Sequence, residues 1–217
     1  YLFLLLIVLI AGKICAQNAD RFLENFQVDG SKVVINTNDG VYHIQYYDND
    51  VVETQFVPTG DNLIKRSHAV IKEPVEVGID VENHKDKIVF NTSGVDVHLM
   101  KKPFQLLYYR NDEYIISEKK GYQEKEKGFD LEFNLTETET LMGGGARALS
   151  MNRRGHQLKL YNRADYGYET RSELMNYALP IVLSSKQYML HFDNPMTGNI
   201  DMDSQFNNTL AYHAIGG

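Results

Sequence analysis

The 217-residue sequence has no tryptophan, five prolines and a single cysteine, Cys15. That cysteine lies in an apolar leader, so a chain processed after Ala16 carries no thiol. It can then use no disulfide framework, no zinc–thiolate site and no cysteine nucleophile. Stability must come from ordinary core burial, for which the length is ample. Nowhere does an apolar run approach the roughly 20 residues that a helix needs to cross a bilayer. Basic residues are the minority, 22 Lys+Arg against 29 Asp+Glu for a net charge of −7, which excludes neutralisation of a phosphate backbone, and with it nucleic acid, as the chain's task. Internal repeats, Pro- or Ser-rich linkers and low-complexity stretches are missing, so one domain is the economical reading. No segment sustains the three-four apolar period of a helical bundle. The seven histidines, at 43, 68, 84, 98, 156, 191 and 213, include no pair at metal-ligand spacing. No cofactor is expected.

Residues 1–16 read as a leader outside the fold. Leu2 to Ile10 is an unbroken apolar run followed by the small residues Ala11, Gly12 and Ala16, the arrangement of a signal-peptide h-region and cleavage site. Cleavage after Ala16 leaves Gln17 first, and loss of Lys13 takes the net charge from −7 to −8. A secreted or periplasmic protein is expected. Tyr1, with no initiator Met or basic n-region before it, is read as a clipped front. Sequons at Asn91, Asn134 and Asn207 arise easily by chance in an Asn-rich chain.

What the chain does have is strand-forming sequence. Runs with period-two alternation or β-branched and aromatic richness occur at Lys32–Asn36, Val41–Tyr47, Val51–Val57, Val75–Val81, Lys87–Asn91, Val95–Met100, Phe104–Arg110, Glu113–Glu118, Phe129–Thr138, His156–Tyr161, Leu179–Leu183 and Gln187–Phe192. Turn clusters such as Asn38-Asp39-Gly40, Asp48-Asn49-Asp50 and Asn111-Asp112 separate them and predict hairpins. Roughly a dozen strands at spacings near ten residues predict an all-β sandwich or barrel. One short helix is expected over Thr170–Tyr177, with Thr170 as cap and Glu173 three positions on. Thr209–Ile215 reads as a further strand just before the last two residues, Gly216-Gly217, which suggests that the natural chain continues.

Candidate chemistry concentrates between Leu141 and Pro180. Gly143-Gly144-Gly145 is the one glycine triplet, and Arg147, Arg153, Arg154, Lys159, Arg163 and Arg171 follow with only Asp165 and Glu169 against them. Tyr161, Tyr166, Tyr168 and Tyr177 are interleaved. Flat aromatic faces with forked donors and carboxylates suit a sugar, whose ring stacks while its hydroxyls hydrogen-bond. A surface loop with solvated charges is the competing reading. The triplet lacks the Lys-Ser/Thr of a phosphate loop and reads instead as a place of positive φ or close backbone approach. Glu137 and Glu139, and likewise Asp201 and Asp203, alternate as solvated residues of one sheet face would. No Gly-x-Ser-x-Gly motif is present.

Taken in order, Gly143-Gly144-Gly145-Ala146-Arg147, Leu160-Tyr161-Asn162-Arg163-Ala164-Asp165-Tyr166-Gly167-Tyr168, Leu179-Pro180-Ile181-Val182-Leu183-Ser184 and Leu210-Ala211-Tyr212-His213-Ala214-Ile215-Gly216-Gly217 resemble the N-terminal β-sandwich of glycoside hydrolase family 31, the α-glucosidases and α-xylosidases. The resemblance implies a galactose mutarotase-like sandwich over residues 17–217, followed in the family by a (β/α)8 barrel. It implies retaining hydrolysis of α-linked oligosaccharides or polysaccharides by two carboxylates about 5–5.5 Å apart. Both belong to the barrel, so no catalytic residue is expected here and this piece alone should be inactive. The family's sandwich offers an aspartate from a loop over the barrel mouth. Here the matching place is Asn162-Arg163-Ala164-Asp165, with the aspartate either one residue late or, if Ala164 holds the family position, missing. Asp165, Arg163, Tyr166 and Tyr168 are the candidate substrate-binding residues. Members often have Gly-Leu-Gly-Glu where this chain has Gly143-Gly144-Gly145-Ala146, which loses a loop-ordering carboxylate. The alternatives are a stand-alone secreted β-sandwich that binds carbohydrate and a free-standing mutarotase-like enzyme, which would need a histidine and a carboxylate facing one sugar.

Overall fold

A computed structural model describes residues 20–63, 67, 69–164, 166–172, 175 and 177–216. The leader, residues 1–16, lies outside the described residues. Strands β1 (Leu23–Asp29), β2 (Lys32–Thr37), β3 (Gly40–Asp48) and β4 (Val51–Pro58) pair in sequence order as a four-stranded antiparallel sheet. A second meander runs through β5 (Asp80–Asn83), β6 (Lys87–Asn91), β7 (Val95–Lys101), β8 (Phe104–Arg110), β9 (Glu113–Lys125) and β10 (Gly128–Asn134). The remaining strands are β11 (Leu141–Gly143), β12 (His156–Leu160), β13 (Ile181–Ser184), β14 (Met189–His191), β15 (Gly198–Met202) and β16 (Thr209–Ala214). They complete a nine-stranded sheet ordered β12-β15-β16-β10-β9-β8-β7-β6-β5 and a three-stranded sheet ordered β11-β13-β14.

The register explains the layering. Residues directly opposite on paired strands point to the same face. Leu99 faces Leu106, Tyr108 faces Ile116, and Phe133 faces both Glu118 and Leu210, so all lie on one face of the large sheet. One half of that face packs Ile88, Phe90, Val97, Leu99 and Leu106 against Val33, Ile35, Tyr42, Ile44 and Tyr46 of the four-stranded sheet. The other half packs Phe133, Leu158, Ile200, Leu210 and Tyr212 against Leu141 and Val182 of the three-stranded sheet. Tyr108 touches both clusters, and its hydroxyl is 2.8 Å from that of Thr54. The outcome is an all-β sandwich whose second layer comes in two pieces.

Several expectations change. The Val75–Val81 run is not a strand until Asp80. Its backbone is held by one side chain: the Ser31 hydroxyl donates to the Val75 carbonyl at 2.6 Å and accepts from the Val77 N–H at 2.7 Å. No helix forms among the described residues of Thr170–Tyr177, and Arg171 at φ 69 breaks it. Strands β1, β11 and β15 have no counterpart in the predicted runs.

A buried polar network joins the four-stranded sheet to the large one. Arg21, 5% exposed, holds Asp39 through Nε and Nη2 at 2.9 and 2.8 Å, donates from Nη1 to the Tyr42 hydroxyl at 2.7 Å, and lies 4.0 Å from the Phe56 ring centroid. Tyr42 donates in turn to Glu118 Oε2 at 3.2 Å. Gly121 (φ 58) makes room: a Cβ there would lie 2.8 Å from both Glu118 Oε2 and the Tyr42 hydroxyl. Burial pushes the Glu118 carboxyl from its ordinary 4.5 up to about 7, against the opposing charge of Arg21 and the bond from Tyr42. Burial also raises Asp39, but the hydrogen bonds and charge of Arg21, with Thr37, outweigh it and hold that carboxyl low.

Glu118 therefore sets a pH dependence of known sign. Below pH 4.5 both folded and unfolded states hold its proton; between 4.5 and about 7 only the unfolded chain gives it up. Stability is expected to fall by about 3 kcal/mol as pH rises through that window. Urea unfolding of the parent and of Glu118→Gln across this range should show the slope only in the parent, and equal slopes would refute it.

Candidate functional site

The glycine triplet builds the neck of a loop. Gly143, Gly144 and Gly145 all have positive φ, at 110, 75 and 86°, a conformation that costs an L side chain about 1–2 kcal/mol per residue. Each also lies against a neighbour: a Cβ would fall 2.2 Å from the Ile181 carbonyl oxygen at Gly143, 2.3 Å from Leu158 Cδ1 at Gly144 and 2.5 Å from the Tyr177 carbonyl oxygen at Gly145. This closeness lets the Gly144 N–H donate to the Ile181 carbonyl and the Ala146 N–H to the Tyr177 carbonyl, both at 2.8 Å. The expected need for positive φ and close approach is met at all three positions.

Arg147 fixes the other side of the neck. Its guanidinium, 8% exposed, donates from Nε to the Gly144 carbonyl at 3.0 Å and from Nη2 to the Lys159 carbonyl at 2.5 Å. Asn162 closes the base, its Oδ1 accepting from the Ala178 N–H at 2.6 Å. The chain that leaves at Ala146 and returns at Tyr177 is thus pinned at its feet, without a carboxylate at Ala146. Arg163, Tyr166 and Tyr168 project from it, exposed, Tyr166 by 95% and Tyr168 by 54%. Asp165 lies outside the described residues. Asn162, within the same motif, serves the loop's base.

The basic character of this stretch is largely structural. Arg154 Nη1 donates to the carbonyls of Thr136, Glu137 and Glu139 at 2.8, 3.0 and 2.6 Å, and its Nη2 to Asn208 Oδ1 at 2.6 Å. Its Nε reaches Asp203 at 2.9 Å. Asp203 is 2% exposed and caps the following turn, accepting from the Asn207 and Thr209 N–H groups at 2.8 and 3.2 Å. The expectation of a solvated Asp203 is therefore corrected. So is that for Glu139, 3% exposed, which accepts from Ser184 Oγ at 2.5 Å, from the Tyr188 hydroxyl and from the Thr136 N–H at 2.9 Å. Burial, then the bond to Glu139, pushes the Tyr188 phenol up. The Arg154–Asp203 and Glu139–Ser184 partnerships span 49 and 45 residues of sequence.

Beside the neck lies a cleft of about 800 Å³, lined by Ala148, Leu149, His156, Tyr168, Glu169 and Arg171 among others. Arg171 pins one wall to the other, its N–H donating to the Ala148 carbonyl at 3.0 Å. Of the described candidate substrate-binding residues only Tyr168 reaches this cleft, where Glu169 and Arg171 of the same stretch join it. His156, Glu169 and Arg171 carry no motif of their own, since they converge through the pinning of the loop and not through spacing. Among the described residues no group of three His, Cys, Asp or Glu could hold a metal ion.

Two antiparallel layers, one of them in two pieces, define an all-β sandwich. The chain belongs to the glycosyl hydrolase 31 N-terminal galactose mutarotase-like domain family, whose model matches residues 41–201. It is 24% identical over 172 residues to alpha-glucosidase 2 of Bacillus thermoamyloliquefaciens, covering 76% of this chain and 22% of that protein. The fold matches that of a GH31 dextranase of Flavobacterium johnsoniae complexed with isomaltotriose, with TM-score 0.83 and 23% identity over 90% of this chain and 25% of the dextranase. A cycloalternan-forming enzyme of Listeria monocytogenes, in complex with a pentasaccharide substrate, gives TM-score 0.73 and 17% identity over 90% and 20% of the two chains. The chain thus spans about a quarter or less of the length of these relatives.

If the triplet's close approach holds the neck, Gly145→Ala should cost about 3 kcal/mol and speed backbone hydrogen exchange at residues 177–179, through both φ strain and the clash with the Tyr177 carbonyl. Gly60, at φ 97 with open space around it, isolates the strain alone. Gly60→Ala should cost only about 1 kcal/mol, and equal costs would show that the approach contributes nothing.

Proposed function

We propose that this chain is the N-terminal domain of a longer, secreted retaining α-glycosidase, and that its pinned loop contributes to the sugar-binding site. The family assignment carries this reading: the matched domain forms a fraction of proteins named as an α-glucosidase and a dextranase. In this reading the nucleophile and the acid/base belong to a barrel that follows, and hydrolysis runs through a glycosyl-enzyme intermediate formed between two carboxylates there. The work of this chain's residues is positional. Tyr166 and Tyr168 offer flat faces against which a pyranose ring can stack, while Arg163 and Asp165 offer a donor fork and an acceptor for its hydroxyls. Pinning at Gly145, Arg147 and Asn162 ties the feet of this loop to the sandwich, which limits how much backbone must be ordered when sugar binds. The apolar leader ending at Ala16 supports export, to an extracellular or periplasmic site.

The natural protein decides the matter. Intact mass and peptide mapping should give a product several-fold heavier than 24.9 kDa, beginning at Gln17, with peptides running on past Gly217. That product should hydrolyse a nitrophenyl α-glycoside with retention at the anomeric carbon, and the 217-residue chain alone should not. A natural product that ends at Gly217 would overturn the hydrolase reading.

A further inference from the structure

Two turns that meet at one end of the sandwich, 151–155 and 203–208, each carry an unsatisfied feature. The first is Arg153. It is 7% exposed, and its Nε and Nη1 are shut off from water without a hydrogen-bond partner. Arg147 and Arg154, its neighbours in the basic stretch, direct their donors to carbonyls and to Asp203. Burial lowers the Arg153 pKa, and no acid opposes the shift. A long basic side chain ordinarily carries its head out to water, and a guanidinium covered without an acceptor bears a desolvation penalty that nothing offsets. The Arg153 N–H donates to the Leu141 carbonyl at 2.6 Å, which ties this turn to β11, while Met151 and Asn152 beside it are exposed.

The second feature is Phe206, 77% exposed at φ 52, between Asp203 at φ 63 and Asn208 at φ 60. A bulky side chain in the left-handed region is strained and persists only where its surroundings impose it. Here they do. Asp203 Oδ1 accepts from the Asn207 and Thr209 N–H groups, and the Phe206 N–H donates to the Asp203 carbonyl at 3.0 Å. The ring lies over Gly155, where a Cβ would be 3.0 Å from Phe206 Cζ, so the two turns are in contact. An aromatic ring is thus held rigidly into water beside a guanidinium that lacks an acceptor.

What would answer both is restricted. A small anion satisfies Arg153 and leaves the ring in water, whereas a purely apolar surface covers the ring and leaves the charge unpaired. A protein surface that brings a carboxylate together with an apolar side chain does both, because a carboxylate matches the guanidinium fork. We infer that this end of the sandwich is a docking surface whose occupant is the polypeptide that follows Gly217, setting a carboxylate against Arg153 and an apolar side chain on Phe206. The inference rests on the reading above that the chain is part of a longer protein. The chain covers 22% and 25% of two of its relatives, so most of a protein of that length lies outside it. Covalent continuity makes the contact intramolecular, so a few groups suffice to hold it. Because Nε and Nη1 are covered in the chain by itself, docking must shift that cover.

Hydrogen exchange on the natural protein and on the 217-residue chain, both unmodified, is the first test. The N–H groups of Gly155, His156, Asn207 and Thr209 should exchange about tenfold more slowly in the natural protein. Urea unfolding then separates the two features. Arg153→Met should raise the midpoint of the 217-residue chain by about half a molar or more, since it removes an unanswered charge, and should lower the midpoint of this domain in the natural protein. Phe206→Asn, which suits the left-handed backbone, should leave the midpoint of the chain unchanged or higher and lower that of the natural protein. Equal exchange in the two proteins, or variants that shift both midpoints in the same direction, would overturn the docking surface. A 217-residue chain that dimerises in sedimentation, with the same amides protected, would give the surface to a second copy and overturn the proposed occupant. Intact mass distinguishes the remaining failures. A natural product that ends at Gly217 removes the longer-protein reading and the docking with it, whereas a longer product with unchanged exchange removes the docking alone.

Discussion

The nine-stranded sheet presents one continuous apolar face, and covering that face is the constraint from which the rest of the molecule follows. Without a thiol or a helix among the described residues, the only material available is more sheet. The four-stranded sheet covers the half built on β6 to β8, and the three-stranded sheet covers the half built on β9, β10, β12, β15 and β16. At the seam sit Tyr108, shared by both clusters, and Glu118, a carboxylate on the inner face. The carboxyl is tolerable there because burial keeps its proton on up to about pH 7 and because Tyr42 bonds it from the covering sheet, so the polar network also fixes where that sheet sits. The opposite face of the large sheet carries polar pairs, such as Asp130 with His213 at 2.6 Å and Lys120 with Glu132 at 3.1 Å, as a face toward water should.

The short covering sheet determines where chemistry can be placed. Its strands β11 and β13 are far apart in sequence, and the chain between them must leave the layer, add β12 to the edge of the large sheet, and return. The glycine triplet makes the departure and the return lie side by side, because only a residue without Cβ lets backbone meet backbone at that distance. What would otherwise be a long floppy connection is therefore a loop on a rigid footing. Binding residues on such a loop are held by the scaffold while remaining open to a ligand, which is how sandwich folds commonly carry sites.

The sequence made part of this legible, and particular residues show where it stopped. Val33, Ile35, Tyr42, Ile44 and Tyr46 alternate without interruption, and their strands could be read within a residue or two. Strand β1, Leu-Glu-Asn-Phe-Gln-Val-Asp, lies at a sheet edge with most side chains exposed, so it lacks that alternation. Strand β15, Gly-Asn-Ile-Asp-Met, carries three residues of types that strands ordinarily avoid, Gly198, Asn199 and Asp201, and burial of Ile200 and Met202 outweighs them. The positive φ of the triplet was readable because glycine has few other reasons to recur three times. Burial of Glu139 and Asp203 was not, since their partners Ser184 and Arg154 lie 45 and 49 residues away and no local pattern announces them.

The same long-range pairing changes what the basic stretch means for the site. Counted in sequence, Arg147, Arg153, Arg154, Arg163 and Arg171 make this stretch basic within a chain that is acidic overall. In the fold, Arg147 and Arg154 spend their donors on carbonyls and on Asp203, holding turns together. Arg153 is 7% exposed. Arg163 is left on the loop and Arg171 in the cleft, the latter beside Glu169. The guanidiniums of Arg147 and Arg154 thus build the platform, and Tyr166 and Tyr168 are what it leaves exposed.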